Sequence, residues 1–494
     1  MNVLYQSTRS SMEAIPASKA ILQGLSNDGG LFVPTVLPKL EKDIKDLSQM
    51  DYRECAYEVM KLLLTDFTEE ELKTCINNAY DDKFDTKEIA PLKKQGNAYY
   101  LELFHGPTLA FKDMALSILP HLLITSARKN NIKEEIVILT ATSGDTGKAA
   151  LEGFADVDGT KIIVFYPKNG VSAIQEKQMV TQKGKNTYVV GITGNFDQAQ
   201  TGVKNIFNNK ELAARLKDKG YIFSSANSIN IGRLVPQIVY YVYSYAQLYK
   251  SGQIKKDEKI NVVVPTGNFG NILAAYYAKE MGLPIDKLIC ASNENKVLFD
   301  FFNTGIYDKN REFILTNSPS MDILISSNLE RLIFKLTGDD YKKTAEFMND
   351  LSQSGQYQIT NEMKEKMEAF AAGYASEEDT GKVIKKIYED TGYVIDTHTA
   401  VAVSVYEGYL RETKDNKKTV IASTASPYKF PVSVMEAIDP KYKNMDDFAL
   451  VKKLSNISGV EVPKAVAQLE TSEVLHDRIC KPEDMETLVE GLLI

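Results

Sequence analysis

Only four cysteines, Cys55, Cys75, Cys290 and Cys480, are spread over 494 residues, and no two form a C-x-x-C pair. Such spacing speaks against a disulfide framework or a cysteine zinc site and makes reduced core thiols the expectation. The four histidines, His105, His121, His398 and His476, lack the H-x-x-x-H spacing of a metal pair, so no metal is expected. No apolar run is long enough to cross a bilayer, and no membrane association is expected. The opening "MNVLYQSTRSSMEA" lacks the charged n-region and continuous apolar stretch of a secretory signal, which points to the cytoplasm. A basic excess is missing too: 58 Lys and Arg stand against 66 Asp and Glu, a net charge of -8 that opposes general attraction to nucleic acid. These absences leave small-molecule chemistry as the favoured class.

What is present is an ordinary globular composition, 44% hydrophobic and 25% charged, in a chain long enough for more than one domain. Residues 1–95 read as a small helical lead-in. From there, short β-branched runs alternate with helical text: "AYYLELF", "EEIVILTAT", "KIIVFYP", "NTYVVGITG", "YIFSSAN", "INVVVPTGN", "KLICASNEN" and "KTVIASTAS". Continuous apolar runs bounded by Gly, Asn, Ser or Thr are the pattern of parallel strands covered on both faces, so residues 96–430 are predicted to form an α/β core. About 300–390 reads as a helical insertion within it, and 431–494 as a charged, amphipathic helical extension.

In such sheets ligands bind beyond the carboxyl ends of the strands. Three of those ends carry unusual loops. The first, "TATSGDTGKAA", brings Ser143, Gly144, Asp145 and Thr146 to a helix start, where free amides and hydroxyls seat an anion. It is no nucleotide P-loop, because Thr142 stands where glycine is needed and Ala149 where Ser or Thr is needed. Ordinary helix capping explains one or two of its residues but not the density of glycines and hydroxyls. The second, "VVVPTGNFGNILAAYY", runs from a strand through Gly267, Asn268, Phe269, Gly270 and Asn271 into a helix. Its glycines admit a bulky anion, and the missing G-x-G-x-x-G spacing favours one phosphate over a dinucleotide. The third, "VIASTASPYKF", ends a strand at Ser423 and Thr424, which alone is an ordinary turn signal.

Lys112 lies in "FHGPTLAFKDMA", between a Gly-Pro loop and the apolar stretch "MALSILPHLLI". A solvated surface lysine is the ordinary reading. A single-phosphate loop beside a lysine in apolar company points instead to pyridoxal 5'-phosphate, whose aldehyde condenses with a desolvated amine.

Eight motifs carry a family likeness: "STRS", "GLSNDGGLFVP", "FHGPTLAFKDMA", "TATSGDTGKAA", "SSANSINIGRLVPQ", "VPTGNFGNILAAYYAKEMGLP", "SPSMDILISSNLERL" and "DTHTAVAV". In this order they resemble the threonine synthase family of pyridoxal-phosphate-dependent enzymes, and they set it apart from the sister dehydratases and cysteine synthases. The resemblance implies the tryptophan synthase β-like fold: two open, parallel-type sheets covered by helices. It implies that Lys112 holds the cofactor, that Gly267, Asn268, Phe269, Gly270 and Asn271 cup its phosphate, and that Thr424 faces the ring nitrogen. Ser143, Gly144, Asp145 and Thr146 would meet the substrate's amino-acid end, and Asn227, Asn230 and Arg233 resemble family positions near the substrate. Arg233 is either a two-pronged phosphate clamp or half of a structural ion pair. The implied reaction converts O-phospho-L-homoserine and water to L-threonine and phosphate, in a monomer or homodimer. Lys148, Arg233 and Lys429 are candidates by charge for the departing phosphate. Two departures stand out: Ser426, Pro427 and Tyr428 replace the family's His-Pro-Ala, and Ser10 replaces a glycine. The competing readings are a serine or threonine dehydratase, or β-replacement enzyme, of the same fold, and a non-catalytic binding protein that kept it.

Overall fold

The computed structural model describes residues 2–494 apart from Ser143, Asn169 and Ser172. All eight β-branched runs are strands, and they divide between two sheets. The larger sheet has the order Phe370–Tyr374, Ile285–Ser292, Ile260–Pro265, Thr419–Ser423, Ala98–Glu102, Leu92–Gln95, parallel except for its last, antiparallel pair. The smaller sheet is parallel throughout: Ile479–Cys480, Thr187–Ile192, Thr160–Pro167, Glu135–Ala141, Tyr221–Ser224.

Alternation along the strands explains why both faces of each sheet are covered. Val262, Val264, Val420 and Ala422 point into a central core, while Val263, Ile289 and Ile421 point into a second core on the far face. In the smaller sheet Ile136, Ile138, Ile162 and Val164 join the central core. Val137, Leu139, Ile163 and Phe165 face a third, closed by Met485, Val489 and Leu493 of the last helix. The central layer is built on the helix Ile231–Lys250, buried along nearly its whole length, which packs against Tyr52–Met60 and Gly270–Glu280.

The segments expected to be helical are mixed. Phe370–Tyr374, from the insertion, extends the larger sheet as a parallel edge strand, and Ile306–Asp308 pairs with Gln356–Gln358. Tyr5–Ser7 pairs with Phe32–Pro34, and Ile479–Cys480 adds to the smaller sheet. These pieces are two to five residues long, too short to show an alternation of their own, so their conformation is set by the ladder they join. Among the described residues no helix is long and apolar enough to cross a membrane, and no group of three or more His, Cys, Asp or Glu is placed to hold a metal. Cys55, Cys75 and Cys290 are buried free thiols, and Cys480 is a half-buried one.

Candidate active site

The loop ahead of Lys112 is tied down at each step. Asp113 accepts from Thr108 N at 2.8 Å and from Thr108 Oγ1 at 2.6 Å, which folds the Gly-Pro-Thr turn back on the start of the short helix Asp113–Leu116. Burial pushes the Asp113 carboxyl up to about 6. Ala110 bridges to Ala425, and Phe111 N donates to the Thr424 carbonyl at 2.8 Å, which seats the end of the strand Thr419–Ser423 beside Lys112. The surface reading of the lysine therefore fails. Its side chain is 13% exposed, with Nζ 3.2 Å from Ser320 Oγ and 3.8 Å from Asp145 Oδ2. Burial, with Lys429 and Arg233 nearby, outweighs the attraction of Asp145 and lowers the amine to about 8.

Asp145 opens the helix Asp145–Phe154, where a carboxylate also meets the favourable end of the helix dipole. Its Oδ1 lies 2.7 Å from Lys429 Nζ and 3.1 Å from Gln175 Nε2, and its Oδ2 accepts from Ser320 Oγ at 3.2 Å. Burial alone would raise this carboxyl, but Lys429 and Lys112 hold it far below the usual carboxylate range. Gly144 sits at φ 141°, a backbone conformation that strains any residue with a Cβ, and the Gln175 side chain closes over it. Thr146 is half-buried on the same turn, and Ser143 lies outside the described residues.

The loop Gly267–Asn271 meets this group through Ser320. A Cβ on Gly267 would stand 2.5 Å from the Ser320 carbonyl oxygen. Phe269, at φ 65°, turns the chain into the helix Gly270–Glu280, whose first amides have no partner within the helix. The Gly267 carbonyl accepts from Ser326 Oγ at 2.6 Å. The Asn268 carbonyl accepts from Asn328 N at 3.1 Å and Nδ2 at 3.0 Å, so both carbonyls are already engaged. Asn271 Oδ1 accepts from the hydroxyls of Tyr240 and Tyr241, and its Nδ2 is buried with no protein partner.

Of the three candidates in "SSANSINIGRL", only Arg233 joins the Lys112 group. It is 4% exposed; Nη1 donates to the Ala226 carbonyl at 3.0 Å, and Nε is buried without a partner. No ion pair among the described residues includes it, which removes the structural-pair alternative. Burial lowers it to about 10. Asn230 instead caps the helix Ile231–Lys250. Its Oδ1 accepts from Gly232 N at 2.9 Å, and its Nδ2 donates to the carbonyls of Ile21 and Ser225 at 3.0 Å each. Asn227 is exposed. Lys148 pairs with Glu152 at 3.0 Å and with Gln182, and Lys429 is fully buried against Asp145, so neither is a free anion receptor. The Ser426-Pro427-Tyr428 departure forms an ordered 3-10 turn, Pro427–Lys429, capped by Ser426 and anchored by Tyr428 OH to the Val460 carbonyl at 2.6 Å. It delivers Lys429 to Asp145. Ser320, His398 and Gln175 received no role from sequence, although "SPSMDIL" and "DTHTAVAV" carried the first two into view.

Three family models match the chain: Threonine synthase N terminus over residues 4–80, Pyridoxal-phosphate dependent enzyme over 89–425, and Threonine synthase, C-terminal over 399–479. Threonine synthase-like 1 of Macaca fascicularis is 41% identical over 440 residues, which is 86% of this chain and 58% of that protein. The chain thus spans somewhat more than half the length of that relative. Threonine synthase of Saccharomyces cerevisiae is 38% identical over 469 residues, covering 88% of this chain and 89% of its own. The crystal structure of PLP-bound threonine synthase from Brucella melitensis superposes with a TM-score of 0.87 at 33% identity, covering 99% of this chain and 98% of that one.

Proposed function

The chain belongs to the threonine synthase family of pyridoxal-phosphate-dependent enzymes, and from that membership we propose that it converts O-phospho-L-homoserine and water to L-threonine and phosphate. The observation that carries the reading is the Lys112 amine: desolvated, lowered to about 8, and joined through Ser320 to the Gly267–Asn271 loop.

The residues present fit the cofactor. Lys112 supplies an amine that spends time neutral near pH 8. The loop Gly267, Asn268, Phe269, Gly270 and Asn271 offers helix-start amides and the unpartnered Nδ2 of Asn271 to a phosphate, and Thr424 is buried beside the lysine to meet the ring nitrogen. Bound there, pyridoxal 5'-phosphate supplies an aldehyde for the amine and an electron-accepting ring that spreads charge from the substrate's α carbon. As a free base Lys112 takes the α proton and moves the β proton. Asp145 and Thr146, with Ser143 and Gly144, orient the substrate's amino-acid end. Arg233 receives the phosphate leaving the γ carbon, with its unpaired Nε as the donor waiting for it. Asn230 acts at one remove by fixing the helix that carries Arg233, and Asn227 lies at the exposed entry to that turn. We place the enzyme in the cytoplasm as a monomer or homodimer without nucleic-acid partners. We divide it into an N-terminal region over 1–95, a catalytic core over 96–430 and an extension over 431–494.

The test is direct. The purified protein should absorb as a protonated Schiff base, borohydride should fix the cofactor on Lys112, and phosphohomoserine should yield threonine and phosphate in equal amounts. Lys112→Ala should stay folded and lose turnover by about 10³-fold or more. Ammonia release from threonine without phosphate release from phosphohomoserine would instead identify a dehydratase.

A further inference from the structure

We infer that Lys429 is a positioning residue for the Lys112 amine: by holding one oxygen of Asp145 at 2.7 Å, it keeps that carboxylate from closing a full ion pair with Lys112, which stays 3.8 Å from the other oxygen. The inference rests on Lys112 being the cofactor lysine. A buried lysine given undivided use of a carboxylate is held as ammonium, and an ammonium neither attacks a carbonyl nor takes a proton. Asp145 faces two lysines and is shared unequally. Lys429, with no exposed side-chain surface, takes the shorter contact.

Its grip is built into the fold. Lys429 closes the capped 3-10 turn Pro427–Lys429, and Nζ also donates at 2.9 Å to the carbonyl of Thr108, in the loop that carries Lys112. The other groups around the amine leave the decision to Asp145. Asp113 spends both carboxylate oxygens on Thr108, Arg233 is a second cation, and the His398 ring is held between the Ser320 backbone amide and the Asp396 carboxylate. Gln175 and the Ser320 hydroxyl hold Asp145 between the two lysines. Loss of Lys429 therefore acts in one direction twice: it removes a like charge from near Lys112 and frees Asp145 to pair with it.

The test reads the amine in the apoprotein, apart from turnover. Wild type and variants are acetylated competitively with acetic anhydride across pH, and the labelling midpoint of Lys112 is read by peptide mass spectrometry. Lys429→Met is expected to raise the midpoint by about one pH unit or more, and Lys429→Arg to leave it near wild type. Lys429→Gln, which keeps hydrogen bonds to Asp145 and Thr108 but no charge, is expected to raise it as well and serves if the Met variant does not fold. A folded Met or Gln variant with an unchanged or lower midpoint overturns the inference. A wild-type crystal structure decides without any variant: Asp145 nearer to Lys429 than to Lys112 supports it, and the reverse overturns it. Borohydride trapping on a lysine other than Lys112 would sink the functional reading while leaving the midpoint result to stand on its own.

Discussion

The backbone amide of Ser320 donates to Nε2 of His398 at 3.2 Å. Because Nε2 accepts, the ring proton sits on Nδ1, where Asp396 Oδ2 lies 2.8 Å away. Asp396 also caps the helix Thr397–Thr413 by accepting from His398 N at 2.9 Å and Thr399 N at 3.0 Å. A helix start thus fixes the ring, and the ring pins the turn whose hydroxyl meets Lys112. His398→Ala is expected to lower kcat by about 10- to 100-fold through misplacement of Ser320, whereas His398→Gln, whose amide oxygen can accept the same bond, recovers most of it. Steady-state kinetics of the two variants decide: equal losses, or an unchanged kcat in the Ala variant, would remove the ring from the account.

Lys112 also leaves a mark on apoprotein stability. Its folded value, about 8, is below the ordinary 10.5, so between those values the unfolded chain binds a proton that the folded chain does not. Stability from this group therefore rises with pH from about 8 to about 10.5, and below about 8 the cost is fully present. Compared with Lys112→Met, the wild-type apoprotein is expected to be less stable by about 3 kcal/mol at pH 7, with the gap closing as pH passes 10.5. Urea unfolding of both proteins across that range measures it. A gap that does not narrow with pH would mean the amine is solvated in the folded protein.

What sequence reveals here is local, and what it hides is the distant partner. The eight strands and the glycine loops are legible because burial on two faces and a strand-to-helix turn each impose a pattern on neighbouring residues. The pairing of Ser320 with both Lys112 and His398 leaves no such pattern, because 208 and 78 residues separate the partners. The same holds at the N-terminus, where "STRS" is legible as a motif but not as a partner of "SPSMDILISSNLERL". There Arg9 makes a bidentate pair with Glu330, 321 residues away, next to Arg331, which holds Asn328 and through it the Asn268 carbonyl. Lys148 stands out in "GDTGK" yet is spent on Glu152. Asn230 carried a signal for its actual role, since an Asn just before a long apolar helical run is a capping pattern.

Gly267 has an ordinary backbone conformation, so its need for glycine is one of space. The neighbour that a Cβ would strike, at 2.5 Å, is the backbone oxygen of Ser320, which cannot swing aside as a side-chain tip can. Gly267→Ala is expected to push the Ser320 turn away from the loop and cost about 1–3 kcal/mol of stability. Cofactor affinity should fall about tenfold or more, because the displaced turn is also the one that holds Lys112. Thermal unfolding and spectral titration of the apoprotein with pyridoxal 5'-phosphate give the two quantities. A variant that binds the cofactor normally would show that the loop and the turn move independently.

Arg233 yields a prediction in which stability and binding change in opposite directions. Its guanidinium is buried with one carbonyl partner, no carboxylate among the described residues, and an unpaired Nε, and burial has already lowered it to about 10. A cation so placed weakens the empty fold, and Met of similar length removes the desolvation cost, so Arg233→Met is expected to stabilise the apoprotein by about 1 kcal/mol or more. In the proposed role of Arg233 as the phosphate receiver, the same change removes a charge-assisted donor from the substrate's phosphate. KM for phosphohomoserine, and the inhibition constant for inorganic phosphate, should rise about 10- to 100-fold. Lys at this position restores the charge without the planar fork and should fall between the two on both measures. Were Arg233 instead a packing residue, Arg233→Met would lose stability and leave phosphate inhibition untouched, so urea unfolding and a phosphate inhibition series on one variant separate the two roles.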